Sequence, residues 1–215
     1  MLIIGAKGFA KEVLEVLNQL NQLENLAFYD DVNNDVPEKL FGHFPVIRTT
    51  QEATVYFKTI DSQFTIGIGN PILRKKVYDK FTALGGKFTS TISPLSSIGS
   101  FDVKIGIGSN ILLGAIFSNG IRLGKGCIVY YNSIITHDCS IGDFVEISPS
   151  VTLLGRSEIG SYSQIGSNAT ILPDIKIGEN VIIGAGSVVT KDLPDNCVAF
   201  GIPAKIIKSI PLLEF

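Results

Sequence analysis

Charge is scarce in this sequence. Only 18% of its 215 residues are Asp, Glu, Lys or Arg, against roughly 25% in an ordinary globular chain, and the net charge is −2. With no basic field to grip a phosphate backbone, nucleic acid is not expected as a partner. Long hydrophobic runs are missing too. The apolar opening Met1–Ile4 soon gives way to Lys7, Lys11 and Glu12. That is too short for a secretory signal and far short of the roughly 20 apolar residues of a membrane span, so a cytoplasmic location is expected. Cysteine occurs three times (Cys127, Cys139, Cys197), without CxxC spacing. An odd, scattered set makes no disulfide framework and suits a reducing compartment. Histidine occurs only at positions 43 and 137.

Glycine and aliphatic residues are plentiful, with 22 glycines and 45% apolar residues. The length suits one large domain or two modest ones.

A repeat organises the second half. Every sixth residue from Ile105 to Val189 is aliphatic, apart from Phe117, over fifteen consecutive positions. Neither a helical period of 3.6 nor a strand alternation of two holds that phase. Gly106, Gly124, Gly142, Gly160 and Gly178 add a period of eighteen. Three hexapeptides therefore make one turn of a triangular coil, whose stacked turns bury the aliphatic column and pair short strands in parallel. The glycines are expected at corners that need positive φ or lack room for a side chain. Small or β-branched residues four places after each aliphatic, such as Ser109, Ala115, Ser133 and Val145, suit an inner corner. The domain is expected to span 92–200, with five to six coils up to about residue 194 and a tail over 201–215. Handedness does not follow from spacing, since parallel crossovers are generally right-handed.

Residues 1–91 have another rhythm. Strands over Met1–Ile4, Leu26–Tyr29 and Phe64–Ile68 alternate with helices after Gly8 and Asn70, which predicts a small Rossmann-like α/β unit with a parallel sheet. Ligands bind such sheets beyond the carboxyl ends of the strands, where Gly5, Ala6, Gly8, Asp30, Asp31, Gly69 and Asn70 all fall. The glycine loop is shorter than the dinucleotide fingerprint and reads equally as a plain strand-to-helix turn. Asp30–Asp31 and Arg74–Lys76 read equally as a solvated turn and a solvated helix face. Together these signals favour a nucleotide-bearing ligand.

On the coil, His137 occupies an outward-facing slot where a lone histidine is more often inert than catalytic. Asp138 beside it is placed to set the imidazole tautomer and raise its basicity. Gly155 lies eighteen residues on, one coil away in the same column, where it leaves room for a thioester and offers a bare N–H to a developing oxyanion. Cys127 and Cys139 fall in inner slots and read as core.

The segment from Val129 to Gly155, the later run Ile165–Pro194 and Gly201-Ile202-Pro203-Ala204-Lys205 resemble the hexapeptide-repeat sugar acetyltransferases. That family includes sialic acid O-acetyltransferases and N-acetyltransferases of nucleotide-linked 4-amino sugars. The opening Gly5–Val13 and Gly67–Val77 resemble the same family's nucleotide-sugar-binding domain, so the similarity covers nearly the whole chain. The resemblance implies a left-handed β-helix, acetyl-CoA as co-substrate, no metal, a nucleotide-sugar or sugar acceptor, and a homotrimer with active sites between neighbouring coils. It implies His137 as general base, Asp138 as its acidic partner and Gly155 as oxyanion donor. Glu146, Gly155, Ser167 and Ala185 match coenzyme-contacting positions, and Gly5, Ala6, Gly8, Asp30, Asp31, Gly69 and Asn70 the nucleotide-sugar region. This chain departs from relatives in carrying Glu146 where a histidine beside the coenzyme thioester is common, Tyr130 where some N-acetylating relatives have Asn, and Gly8-Phe9-Ala10 for Gly-His-Gly.

The expected activity is transfer of acetyl from acetyl-CoA to the 4-amino group of a nucleotide-linked sugar. O-acetylation of sialic acid or a related sugar, and a non-catalytic scaffold, are the alternatives. A β-helical zinc enzyme would need three histidines, and the coil has one.

Overall fold

The computed structural model describes residues 1–215 and resolves two packed units. The first begins with β1 (Leu2–Ile4), α1 (Gly8–Gln19) and β2 (Ala27–Tyr29), followed by β3 (Lys39–Leu40), β4 (Phe44–Ile47) and α2 (Thr50–Thr59). It closes with β5 (Gln63–Ile66), α3 (Pro71–Ala83) and β6 (Lys87–Phe88). The strand order is β3-β4-β2-β1-β5-β6, parallel throughout except for the β3–β4 hairpin. The Rossmann-like reading therefore holds. The β3–β4 hairpin and α2 have no counterpart in the sequence reading, because their two- and four-residue strands carry too little alternation to register. α2 starts at a capping box in which Thr49 and Glu52 satisfy each other's backbone N–H.

Aliphatic residues on both faces of β1 pack into separate clusters, Leu2 and Ile4 on one side and Ile3 on the other. The turn after β1 requires glycine. Gly5 has φ +105°, and a Cβ there would stand 2.9 Å from the Gly67 carbonyl oxygen.

From Thr91 the chain winds into a parallel β-helix of two-residue strands on three faces. Each strand pairs with the one eighteen residues on, as in Ile128–Val129 with Glu146–Ile147 and Ile134–Ile135 with Thr152–Leu153. The predicted aliphatic column fills the interior, where 25 buried residues form one continuous core. Each aliphatic side chain so buried contributes about 1.5–3 kcal/mol of hydrophobic stabilisation. The predicted inner-corner residues, Ser109, Ala115, Ser133 and Val145 among them, are fully buried.

The glycines spaced by eighteen serve close approach and not positive φ. A Cβ on Gly106 would lie 2.4 Å from the backbone of Gly124, and the pattern repeats up the stack. Positive φ falls elsewhere, at every sixth residue from Gly108 to Gly186, with values of +54° to +74°. Gly, Asn and Asp tolerate that region well, whereas Phe144, Arg156 and Tyr162 adopt it at a cost that the stacked coils over-determine.

The coil ends in strand Cys197–Gly201 and a returning strand Ala204–Ser209, so the residues after 200 begin as a paired edge that covers the last turn. Open ends of stacked repeats need such a cap.

Two buried polar residues join the units. Asn110, on the coil, accepts from Thr65 and Thr91 hydroxyls and donates to the Ile66 carbonyl. Arg74, on α3, is 1% exposed and donates to the carbonyls of Gly69, Gly126, Phe144 and Val145. This corrects the reading of Arg74–Lys76 as a nucleotide-facing or solvated run. Lys75 is salt-bridged to Asp79 at the surface, but Arg74 is the bolt between domains. No helix of the chain is long and apolar enough to cross a membrane.

Candidate active site

His137 sits at the corner that follows Ile134–Ile135, and its side chain is half exposed. Asp138 is the left-handed residue of that corner, with φ +61°, and the turn brings its carboxylate back beside the ring. Nδ1 lies 2.9 Å from Asp138 Oδ2, so Nδ1–H donates to the carboxylate, which in the neutral ring leaves the lone pair on Nε2. The other carboxylate oxygen occupies the space that a Cβ on Gly120 would take, 2.4 Å away.

Below the ring, one coil on, lies Gly155. A Cβ there would stand 2.6 Å from His137 Cε1 and 2.7 Å from Nε2. The Gly155 carbonyl accepts from Asp174 N, whereas its N–H has no partner within the chain. A bare backbone donor and the His137 ring therefore lie against each other on the outside of the coil. The next residue, Arg156, is held away by two contacts to Asp174, and that pair keeps the Asp174 carboxyl below its usual range.

Ser167 and Ala185 share a different column. They stand at the corner before Thr170–Ile171 and Val188–Val189, whereas His137 and Gly155 follow the strands of that same face. One hexapeptide, with a two-residue strand at its middle, separates the columns, so one face of the coil lies between them.

The N-terminal unit carries a cavity of about 430 Å³ at the carboxyl ends of β1, β2 and β5. Gly5, Ala6, Asp30, Asp31 and Gly69 line it. Gly8 and Asn70 do not: Gly8 opens α1, and the Asn70 side chain caps α3 by accepting from Leu73 N.

The two aspartates differ in role. Asp30 is buried and accepts from Val32 N and Asn33 N, which folds the loop over the cavity. Asp31 faces the space and accepts from the Tyr29 hydroxyl at 2.8 Å and Lys80 Nζ at 3.0 Å. Burial alone would raise its carboxyl, but those two donors outweigh it and hold it below the ordinary range.

Phe9, Leu73, Val77 and Lys80 also line it and went unassigned from sequence as ligand contacts. Their signal was faint: Leu73, Val77 and Lys80 share one face of α3 by the i, i+4, i+7 rule. Phe9 also packs on Tyr130 of the coil, with ring centroids 5.2 Å apart, so two of the chain's departures from its relatives meet each other.

Comparison with known proteins agrees with this arrangement. Residues 1–81 match the model of the PglD N-terminal domain, and residues 156–191 match that of the bacterial transferase hexapeptide, six repeats. The acetyltransferase domain of PglB from Neisseria gonorrhoeae, solved with acetyl coenzyme A, is 32% identical over 96% of this chain and 98% of its own, with a TM-score of 0.86. The chain belongs to the hexapeptide-repeat sugar acetyltransferases. Other members are WeeI from Acinetobacter baumannii (30% identity, 96% of this chain, 98% of that one, TM-score 0.86) and PerB from Caulobacter crescentus. PerB, solved with CoA and GDP-perosamine, is 28% identical over 96% of each chain, with a TM-score of 0.88. No curated protein matches the sequence. As a family member the chain is an acetyl-CoA-dependent sugar acetyltransferase, and its coil is the family's left-handed parallel β-helix.

Proposed function

We propose that this acetyltransferase acetylates the 4-amino group of a nucleotide-linked amino sugar, with His137 as general base and no acyl-enzyme. The single observation that carries the mechanism is the packing of the His137 ring against the side-chain-free face of Gly155, whose N–H has no partner within the chain. The deprotonated amine attacks the thioester carbonyl carbon, and Nε2 takes the proton that the nitrogen sheds. The carbonyl oxygen gains negative charge against the Gly155 N–H, the C–S bond breaks, and the departing thiolate recovers a proton from the imidazolium. Positioned proton transfer of this kind is worth about 10²–10⁴-fold, and removing one oxyanion donor costs about 10²–10³-fold. All three cysteines are buried, so none is presented to the thioester as a nucleophile.

The nucleotide is assigned to the cavity beside Asp31 and Lys80, and the acceptor type to the likeness with PerB, whose structure holds GDP-perosamine. The coenzyme is assigned to the Ser167–Ala185 column of one copy and the His137–Gly155 column of another, in a homotrimer. Supporting this are the face of the coil between the columns and the exposed Ile116 and Ile134 on it, an apolar surface suited to a neighbouring coil.

The test is a screen of UDP-, GDP- and dTDP-linked 4-amino sugars with acetyl-CoA, following thiol release, with sedimentation to give the assembly. Activity on one such sugar that is lost in His137→Ala supports the reading. Turnover only with free sialic acid overturns the acceptor, and a monomer with full activity overturns the shared site.

A further inference from the structure

Where the two domains meet, the half-buried carboxylate of Glu146 lies beside the cavity. Its Oε2 stands 3.8 Å from the position a Cβ on Gly69 would take, and Gly69 lines the cavity. Gln164, directly below on the same face, donates Nε2–H to that oxygen at 3.0 Å. Glu146 has no ion-pair partner. The nearby guanidinium of Arg74 spends its donors on backbone carbonyls. A carboxylate fixed by one amide, with its second oxygen free, is an acceptor awaiting a donor.

The surroundings leave that oxygen without a protein donor. Tyr130, whose ring packs on the cavity-lining Phe9, lies within the fields of Glu146 and Glu12, with Arg74 acting in the opposite sense. Oε2 of Glu12 is the only buried side-chain polar atom of the chain left without a hydrogen-bond partner. The Arg74 guanidinium acts on both Tyr130 and Glu146 from within the joint, but neither side chain is hydrogen-bonded or ion-paired to it, so beside Gly69 the free oxygen of Glu146 remains an acceptor. A group that binds there must bring donors. Within the cavity itself, Lys80 and the backbone turn at Gly5 suit the nucleotide.

We infer that Glu146 is a specificity-determining residue for the acceptor, receiving the ammonium or hydroxyl donors of the sugar while the attached nucleotide fills the cavity. This rests on the assignment of a nucleotide-linked sugar to that cavity, and moves Glu146 from the coenzyme, where the family resemblance put it, to the acceptor. Glu146 thus selects the sugar and His137 performs the proton transfer.

The experiment compares the intact protein with Glu146→Gln, which keeps shape and removes charge. Calorimetric affinities are measured for a nucleoside diphosphate and for the matching nucleotide-linked 4-amino sugar, and KM for each substrate is measured separately. The expected result is unchanged affinity for the nucleoside diphosphate, which also reports an intact fold. The amino-sugar affinity should fall at least about tenfold, as for loss of a charge-assisted hydrogen bond, with acetyl-CoA KM unchanged. Unchanged affinity for both ligands, or a rise confined to the acetyl-CoA KM, overturns the inference and leaves the acetyltransferase reading standing. A wild-type protein that binds neither nucleotide ligand removes the underlying reading as well.

Discussion

The imidazole of His137 lies across the backbone of Gly155, so closely that a single methyl group there would stand 2.7 Å from Nε2. Gly155 has an ordinary backbone conformation, which means that its lack of a side chain answers the ring above it and no demand of the chain itself.

Gly155→Ala is accordingly expected to fold and to fail in turnover. The added methyl displaces the imidazole from the N–H below it, and kcat should fall by about 10²-fold or more, as when an oxyanion donor is lost. Melting temperature and kcat together check this. Unchanged kcat at unchanged stability would show that the ring is not needed in that place.

His137→Ala should lower kcat by about 10²–10⁴-fold while leaving acetyl-CoA affinity within a few-fold. Asp138→Asn is the companion variant, because Asn tolerates the +61° φ of that corner whereas Ala is strained there. It removes charge and keeps the turn, so it should lose activity without losing stability. Asp138→Ala should lose both. Equal melting temperatures for the two variants would count against the turn argument.

Arg74→Met retains the bulk of the buried side chain and deprives the carbonyls of Gly69, Gly126, Phe144 and Val145 of a donor. At about 1–3 kcal/mol for each buried group left unpaired, a loss of roughly 3 kcal/mol or more is expected. Thermal unfolding reads the loss, and a weaker nucleoside diphosphate affinity should accompany it because Gly69 lines the cavity. A variant as stable as wild type would deny Arg74 its joining role.

Thiol chemistry gives a separate check on the mechanism. Burial pushes the Cys127 thiol up to about 12, and Cys139 and Cys197 are also buried. The folded protein is expected to resist alkylation at pH 8 and to keep its activity after exposure to iodoacetamide, with all three thiols reacting once it is denatured. Rapid inactivation accompanied by labelling of one cysteine would reopen the case for a covalent intermediate.

The coil was legible residue by residue. Each hexapeptide needs only its neighbours above and below to bury its aliphatic, so the requirement is written locally and repeats along the chain. The same logic placed His137 and Gly155 in one column, because residues eighteen apart must stack. In the N-terminal unit β1, β2 and β5 were readable, being buried apolar strands apart from Gln63 at the start of β5, whereas the short β3–β4 hairpin was not. Arg74 was misread for an instructive reason: within Arg-Lys-Lys nothing distinguishes the one residue that points into the joint.

From the sequence alone came the period, and with it the β-helix, its buried column and the vertical register of His137 and Gly155. Only the tertiary structure decided that Phe9 meets Tyr130, that Glu146 stands at the lip of the cavity beside Gly69, and that Arg74 bolts the two units together. Stacking is enforced by contacts between successive coils, whereas the docking of one domain on another depends on side chains far apart in sequence, whose pairing leaves no periodic trace.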